Sequence, residues 1–241
     1  MNLRLTGTAL ALALLCTGGG LAAQQAPKPV FVSNPAAERI PNLDKLKEEI
    51  QQYHNCTCTC GCYTRDMDAQ ANRAIAHLRW RAAHRRSNEK LALILDIDET
   101  TLSNWQEEVE NHFVYTPKAF DDWVQKEEAP AIPGTLRLYQ EAQKLGVSIF
   151  FITGRLESER AATIENLQKQ QFLGLPPEQL IMLPDNHGKQ TTGAFKSAAR
   201  AHIVASGYTL ILNVGDQWSD LKGKPEAEYS VKYPDPYYFV P

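Results

Sequence analysis

Leu91-Ala92-Leu93-Ile94-Leu95-Asp96-Ile97-Asp98-Glu99-Thr100-Thr101 is the stretch whose reading decides the fold of this chain. Five apolar residues run straight into two carboxylates one residue apart. An unbroken apolar run of this length predicts a strand over 91–97 that is buried on both faces, as strands of parallel sheets are. Asp96 and Asp98 then stand just past its carboxyl end, where open α/β sheets bind ligands. Two acids so close repel each other, and they stay ionised only beside positive charge. A Mg²⁺ ion with a phosphate ester meets that need. A strand followed by an ordinary acidic turn is the plain alternative, and this stretch alone does not separate the two.

Outward from there the pattern alternates. Pro133-Gly134 opens a helix that ends near Gly146, and residues 147–152 form a second apolar strand. Residues 157–170 read as a helix, 179–183 as a short strand, 191–206 as a helix and 210–214 as a further strand. Repeated strand–helix units with apolar, β-branched strands predict an α/β fold, a parallel sheet covered by helices on both faces. Before the first strand, residues 42–53 and 65–86 have helical spacing, the second with Arg73, Arg79, Arg81, Arg85 and Arg86 on one face. That face predicts a solvated basic surface, with a polyanion site as the alternative. Between the first two sheet strands, residues 103–131 hold Trp105, Phe113, Tyr115, Phe120 and Trp123 among many acids. This insert predicts a small cap whose aromatics mostly pack together, with one or two free to stack on a planar substrate group.

Three further pieces narrow the chemistry. Thr153-Gly154 follows the second strand, where a hydroxyl and a close backbone approach suit phosphate oxygens. Lys196 near the start of a helix is the expected fixed cation, with Lys189 as the alternative. Val214-Gly215-Asp216-Gln217-Trp218-Ser219-Asp220 repeats the strand-into-carboxylate pattern, and Asp220 falls one helical turn after Asp216. Together these acids offer the oxygen ligands that a hard divalent cation takes.

The 241 residues carry 25 basic and 28 acidic side chains, a net charge of −3, which argues against a nucleic-acid partner. A small phosphorylated substrate held by a local positive site remains compatible. Arg4 followed by apolar residues 5–15 and Gly18-Gly19-Gly20 predicts an export signal over 1–23, cut after Ala22 or Ala23. The product would be periplasmic or secreted. Ala13-Leu14-Leu15 is a poor lipobox, which argues against lipid anchoring at Cys16. Residues 24–241 then form one domain, with an arm and helices over 24–88, and no later run is long enough for a membrane span. The remaining cysteines, Cys56, Cys58, Cys60 and Cys62, lie together. An even count in an exported chain favours disulfides, with Cys56–Cys60 and Cys58–Cys62 the easier pairings to close. A soft-metal site is the alternative, though the spacing is unlike the separated pairs of structural zinc sites.

In order, Asp96-Ile97-Asp98-Glu99-Thr100, Ile152-Thr153-Gly154, Lys196 and Gly215-Asp216-Gln217-Trp218-Ser219-Asp220 resemble the four motifs of the haloacid dehalogenase (HAD) superfamily. Within it the chain is similar to the subfamily IIIB acid phosphatases, which include bacterial class C enzymes and plant vegetative storage proteins. That similarity adds Trp123-Val124, Ala131-Ile132-Pro133-Gly134, Leu221 and the terminal Pro234-Asp235-Pro236-Tyr237-Tyr238-Phe239-Val240-Pro241, and covers about residue 44 to the end. The Cys56–Cys62 cluster is no part of it. The resemblance implies a Rossmann-like, HAD-type sheet with a small helical cap built from the N-terminal section and the insert. It also implies a Mg²⁺-dependent phosphomonoesterase working through an aspartyl-phosphate. Asp96 would be the nucleophile and Asp98 the general acid and base. Asp96, the Asp98 backbone carbonyl and Asp216 would hold Mg²⁺, with Asp220 in support, while Thr153, Gly154 and Lys196 bind the phosphoryl group. Nucleoside monophosphates become candidate substrates if a cap aromatic stacks on the base. A non-catalytic storage protein, a phosphotransferase, and a redox or metal-handling protein led by the cysteines are the competing readings.

Overall fold

The computed structural model describes residues 40–58 and 62–240. The segment expected to be an export signal, its expected cleavage positions, Cys16 and Cys60 lie outside the described residues. Five strands form one sheet: β1 (Lys90–Leu95), β2 (Ser148–Leu156), β3 (Leu180–Leu183), β4 (Tyr208–Gly215) and β5 (Ser230–Lys232). The order is β3-β2-β1-β4-β5 and every pairing is parallel. Strand order therefore reverses between β1 and β4, and ligands bind beyond the carboxyl ends at such a switch point. Asp96 follows β1 and Asp216 follows β4, so the two strand-ending acids meet there.

The expected double burial is real. Along β1, Leu91, Leu93 and Leu95 face one core with Met67, Ala71, Ala74 and Leu78 of α2 (Tyr63–Ala83). Leu138 and Ala142 of α5 (Pro133–Lys144) belong to the same core. Ala92 and Ile94 point the other way, to Phe195, Ala199 and Ile203 of α7 (Thr192–Ala205). This is the period-two alternation of a strand read against helices on both sides. Pro133 starts α5 at a position where its missing N–H costs nothing. Gly134 beside it lets α2 and α5 approach closely, since a Cβ there would lie 2.6 Å from the Ala71 Cβ. The remaining sheet helix is α6 (Arg160–Lys169), whose Leu167 reaches the α2/α5 core.

The N-terminal section divides between two jobs. α1 (Leu43–Asn55), capped by the Asn42 side chain, reaches the insert, where His54 stacks on Trp105 with ring centroids 3.7 Å apart. α2 instead covers the sheet. The insert holds α3 (Trp105–Glu110) and α4 (Pro117–Val124), the latter capped by Thr116. The expected solvated basic face on α2 holds for Arg73, Arg79, Arg85 and Arg86, which are exposed, and fails at Arg81. Arg81 is buried and paired with Glu89 and Glu228, Arg79 bonds Glu141, and Arg85 donates to the carbonyls of Leu145 and Gly146. Burial forces the Arg81 pairing, because an unmatched guanidinium would not stay inside. The cysteines form a disulfide as expected, but with a different pairing, for Cys56 is bonded to Cys62 and neither Cys56–Cys60 nor Cys58–Cys62 can then form. That pairing joins the end of α1 to the start of α2. No described helix is long and apolar enough to cross a membrane.

Candidate active site

At the carboxyl end of the sheet, Asp96 is anchored by its backbone. Its N–H donates to the Val214 carbonyl at 3.0 Å, and its carbonyl accepts from Thr101 Oγ1 at 2.6 Å. Its carboxylate faces a cleft of about 340 Å³ that is also lined by Asp98, Gly154, Arg155, Lys196, Ser219 and Asp220. Lys196, on the sheet side of α7, is buried, with Nζ 2.5 Å from both Asp96 Oδ1 and Asp220 Oδ1. Lys189 is exposed and stands apart from the cleft walls.

Asp216 is fully buried and receives Thr100 Oγ1 at 2.9 Å and Gln217 Nε2 at 2.8 Å. Asp220 comes back towards it from α8 (Trp218–Leu221), its Oδ2 accepting the Gln217 N–H at 2.8 Å. Gly215 makes that return fit. A Cβ there would lie 2.4 Å from Asp220 Oδ2 and from its Cβ, closer than real atoms come. Arg200 then pins the turn, donating to the Asp220 carbonyl at 2.6 Å. As a result one carboxylate oxygen from each of Asp96, Asp216 and Asp220 falls within 4.8 Å of the others.

One lysine serves three buried acids. Burial pulls the Lys196 ammonium down, but Asp220 and Asp96 outweigh this and hold it above the ordinary lysine range. Burial pushes Asp96 up, against Lys196, and Asp220, Asp216 and Asp98 add to the rise. Asp216 is raised by burial, then by Asp220 and Asp235. The lysine thus stays charged while the acids lack positive charge, which is the signature of a built cation site. Three carboxylates suit a hard ion such as Mg²⁺, so the donor set fits the metal expected.

Asp98 is held differently. Its Oδ1 accepts from Arg155 Nη2 at 2.7 Å, Arg155 Nε at 3.0 Å and Asn104 Nδ2 at 2.9 Å, while Oδ2 receives only a long bond from the same Nε at 3.3 Å. Burial would raise this carboxyl, but Arg155 and Asn104 outweigh it and hold it below the usual range. Asn104 is itself fixed by the cap, since Trp123 Nε1 donates to its Oδ1 at 2.9 Å. Glu99, between these groups, sits at a left-handed φ of 52°. Its buried carboxylate takes the Asn104 N–H and the Tyr63 hydroxyl, which compensates a conformation that β-carbon residues avoid.

Sequence reasoning and structure differ over the phosphate loop. Thr153 lies inside β2, which runs three residues further, to Leu156. Its hydroxyl oxygen is fully buried and accepts the Arg155 N–H at 3.1 Å, and Thr153 is not among the cleft walls, whereas Gly154 is. Arg155, Asn104, Thr100, Gln217, Arg200 and Ser219 have structural roles here that the sequence does not announce. Arg155 had a readable signal, adjacency to Thr153-Gly154. The Ser219 hydroxyl is buried on the cleft wall and has no hydrogen-bond partner among the described residues.

Comparison with known proteins agrees with this arrangement. Residues 24–241 match the model of the HAD superfamily, subfamily IIIB (Acid phosphatase). Acid phosphatase 1 of Solanum lycopersicum is 40% identical over 151 residues, which are 61% of this chain and 58% of that protein. Vegetative storage protein 1 of Arabidopsis thaliana is 33% identical over 156 residues, 61% of this chain and 55% of that one. Each match thus spans less than two thirds of the relative. The structure of the class C acid phosphatase from Bacillus anthracis superposes with a TM-score of 0.64 at 23% identity, covering 82% of this chain and 86% of that one, which shows a shared fold. With the motif residues gathered at one sheet end and the family model spanning nearly the whole sequence, this chain belongs to subfamily IIIB, the acid phosphatases, of the HAD superfamily.

Proposed function

We propose that the protein is a Mg²⁺-dependent acid phosphatase that hydrolyses phosphate monoesters through Asp96. The observation that carries this reading is the cluster itself: Asp96, Asp216 and Asp220 share one buried site with a single lysine, open to a cleft. Asp96, Asp216 and the Asp98 backbone carbonyl would hold the metal, with Asp220 in support. Bound Mg²⁺ would neutralise charge on the phosphoryl oxygens and keep Asp96 ionised.

The protein's own groups then divide the work. An Asp96 oxygen attacks phosphorus, giving an aspartyl-phosphate and releasing the alcohol. Asp98 gives the departing oxygen its proton, then takes one from the water that attacks the same phosphorus and frees Asp96 and inorganic phosphate. Arg155 and Asn104 occupy Oδ1 of Asp98 and leave Oδ2 the freer oxygen, and by favouring the ionised form they support the step in which Asp98 takes the proton from water. Lys196 supplies fixed positive charge beside the nucleophile, Ser219 Oγ is available to a phosphoryl oxygen, and Gly154 lines the cleft where a phosphoryl group can approach the backbone. Thr153, fully buried behind the cleft wall, would reach a phosphoryl oxygen only if its hydroxyl came into the cleft, and as it stands it accepts the Arg155 N–H and fixes the loop beside Gly154. An exported protein fits the Cys56–Cys62 disulfide, which persists in oxidising compartments.

Release of p-nitrophenol from p-nitrophenyl phosphate at mildly acidic pH, with Mg²⁺ and with EDTA, tests the reading. Turnover that needs the metal is expected. A folded protein with no turnover under any divalent metal would instead favour the storage role.

A further inference from the structure

The cleft has two unlike ends. Its polar floor holds Asp96, Asp98, Arg155, Lys196 and Asp220, and both cations there are already paired, Arg155 with Asp98 and Lys196 with Asp96 and Asp220. Beside Thr192, Gln217 and Val240, the rest of the wall is dominated by aromatics, Phe113, Tyr115, Phe120, Tyr238 and Phe239, of which Phe120 already faces the Arg155 guanidinium at 5.9 Å. One charged side chain interrupts it. Glu108 of α3 lines the cleft, half-buried, and no side chain among the described residues donates to it or pairs with it. It is tied to this wall, because the Phe113 N–H bonds the Glu108 carbonyl at 2.7 Å. Its charged neighbours are acids: Glu107 and Asp98 raise it, and it in turn raises Asp235. Burial first, then those acids, push Glu108 up to about 7.

An unmatched carboxylate beside aromatic faces is the chemistry that recognises an organic cation. Ring faces attract the cation, and the carboxylate completes the charge match in a cleft where the metal and lysine are committed to the phosphate end. We propose that Glu108 and the aromatic wall select phosphate monoesters whose alcohol carries a fixed positive charge, such as a quaternary ammonium. This rests on the phosphatase reading for the reaction but concerns the opposite end of the cleft. Glu108 is a specificity residue here, and the ester bond is broken by the groups already described.

The test compares phosphocholine with 3,3-dimethylbutyl phosphate, its uncharged carbon analogue, with Mg²⁺ at a pH above the raised pKa of Glu108, so that its carboxylate is ionised. Wild type should favour the cationic ester by about tenfold in kcat/KM, the size of a partly desolvated cation–aromatic and ionic contact. In Glu108→Gln the ratio within that protein should fall to about one. A wild-type ratio near one, or a preference that survives Glu108→Gln, overturns the proposal. If neither ester nor p-nitrophenyl phosphate is turned over, the phosphatase reading fails on its own. Calorimetric binding of the same two esters then decides this inference: tighter binding of the cation, lost in Glu108→Gln, supports it, and equal binding refutes it.

Discussion

At the scale of single residues, the site is set by which oxygens are already occupied. Arg155 and Asn104 fix Oδ1 of Asp98 and depress its proton affinity against the pull of burial. Arg155→Gln removes the larger share of that hold. A carboxyl that must be protonated to act loses activity as pH rises through its pKa, and raising the pKa moves that loss to higher pH. The basic limb of the kcat profile should therefore shift upward in Arg155→Gln, with kcat lower by about 10²-fold because the acid is no longer oriented. Gly215 works through space rather than charge. Gly215→Ala would drive a methyl into Asp220 and should cost about 1–3 kcal/mol in urea unfolding, as overpacking does. It should also weaken Mg²⁺ binding measured by calorimetry, since Asp220 would be displaced from the cluster.

At the scale of elements, periodicity revealed most of the sheet and little of what the side chains do. The strands leading into Asp96 and Asp216 were legible because double burial leaves apolar runs, unbroken in 91–95 and interrupted only by Asn213 in 210–214. β5 was not, for three residues at the sheet edge carry no readable period. The basic stripe of α2 was legible except at Arg81, because spacing reveals a face but not what packs against it: Glu89 and Glu228 come from 8 and 147 residues away to pair with Arg81. Thr153 was expected past the end of its strand, yet β2 continues to Leu156, and only pairing with β3 shows this. The Arg81 pairing has a measurable consequence. Hydrogen bonding to Arg81 lowers Glu89 from its usual 4.5 to about 2. A carboxyl depressed on folding contributes stability that is present above its unfolded pKa and lost as pH falls through the folded one. Unfolding midpoints in urea should thus decline as pH drops from 4.5 towards 2, and Glu89→Gln should flatten that decline.

At the scale of the whole molecule, the parallel sheet brings together groups that are far apart in sequence. Asp96 meets Lys196 across 100 residues, and Thr100 meets Asp216 across 116. The strand order that makes this meeting also concentrates uncompensated negative charge, so the fold itself should be steadied by a divalent cation. At ten times its Kd, Mg²⁺ should stabilise the protein by about 1.4 kcal/mol. For a chain of this size that is about 3–6 °C in Tm, and Asp216→Asn should lose most of the shift. EDTA should reverse it in the wild type. The central claim is that Asp96 is the group that attacks phosphorus, and one substitution tests it most directly. Phosphate release by Asp96→Asn should be measured beside wild type under saturating Mg²⁺, with circular dichroism to show that both are folded. Removal of a nucleophile predicts a loss in kcat of about 10⁴-fold or more. A folded Asp96→Asn protein within about tenfold of wild type would contradict the mechanism.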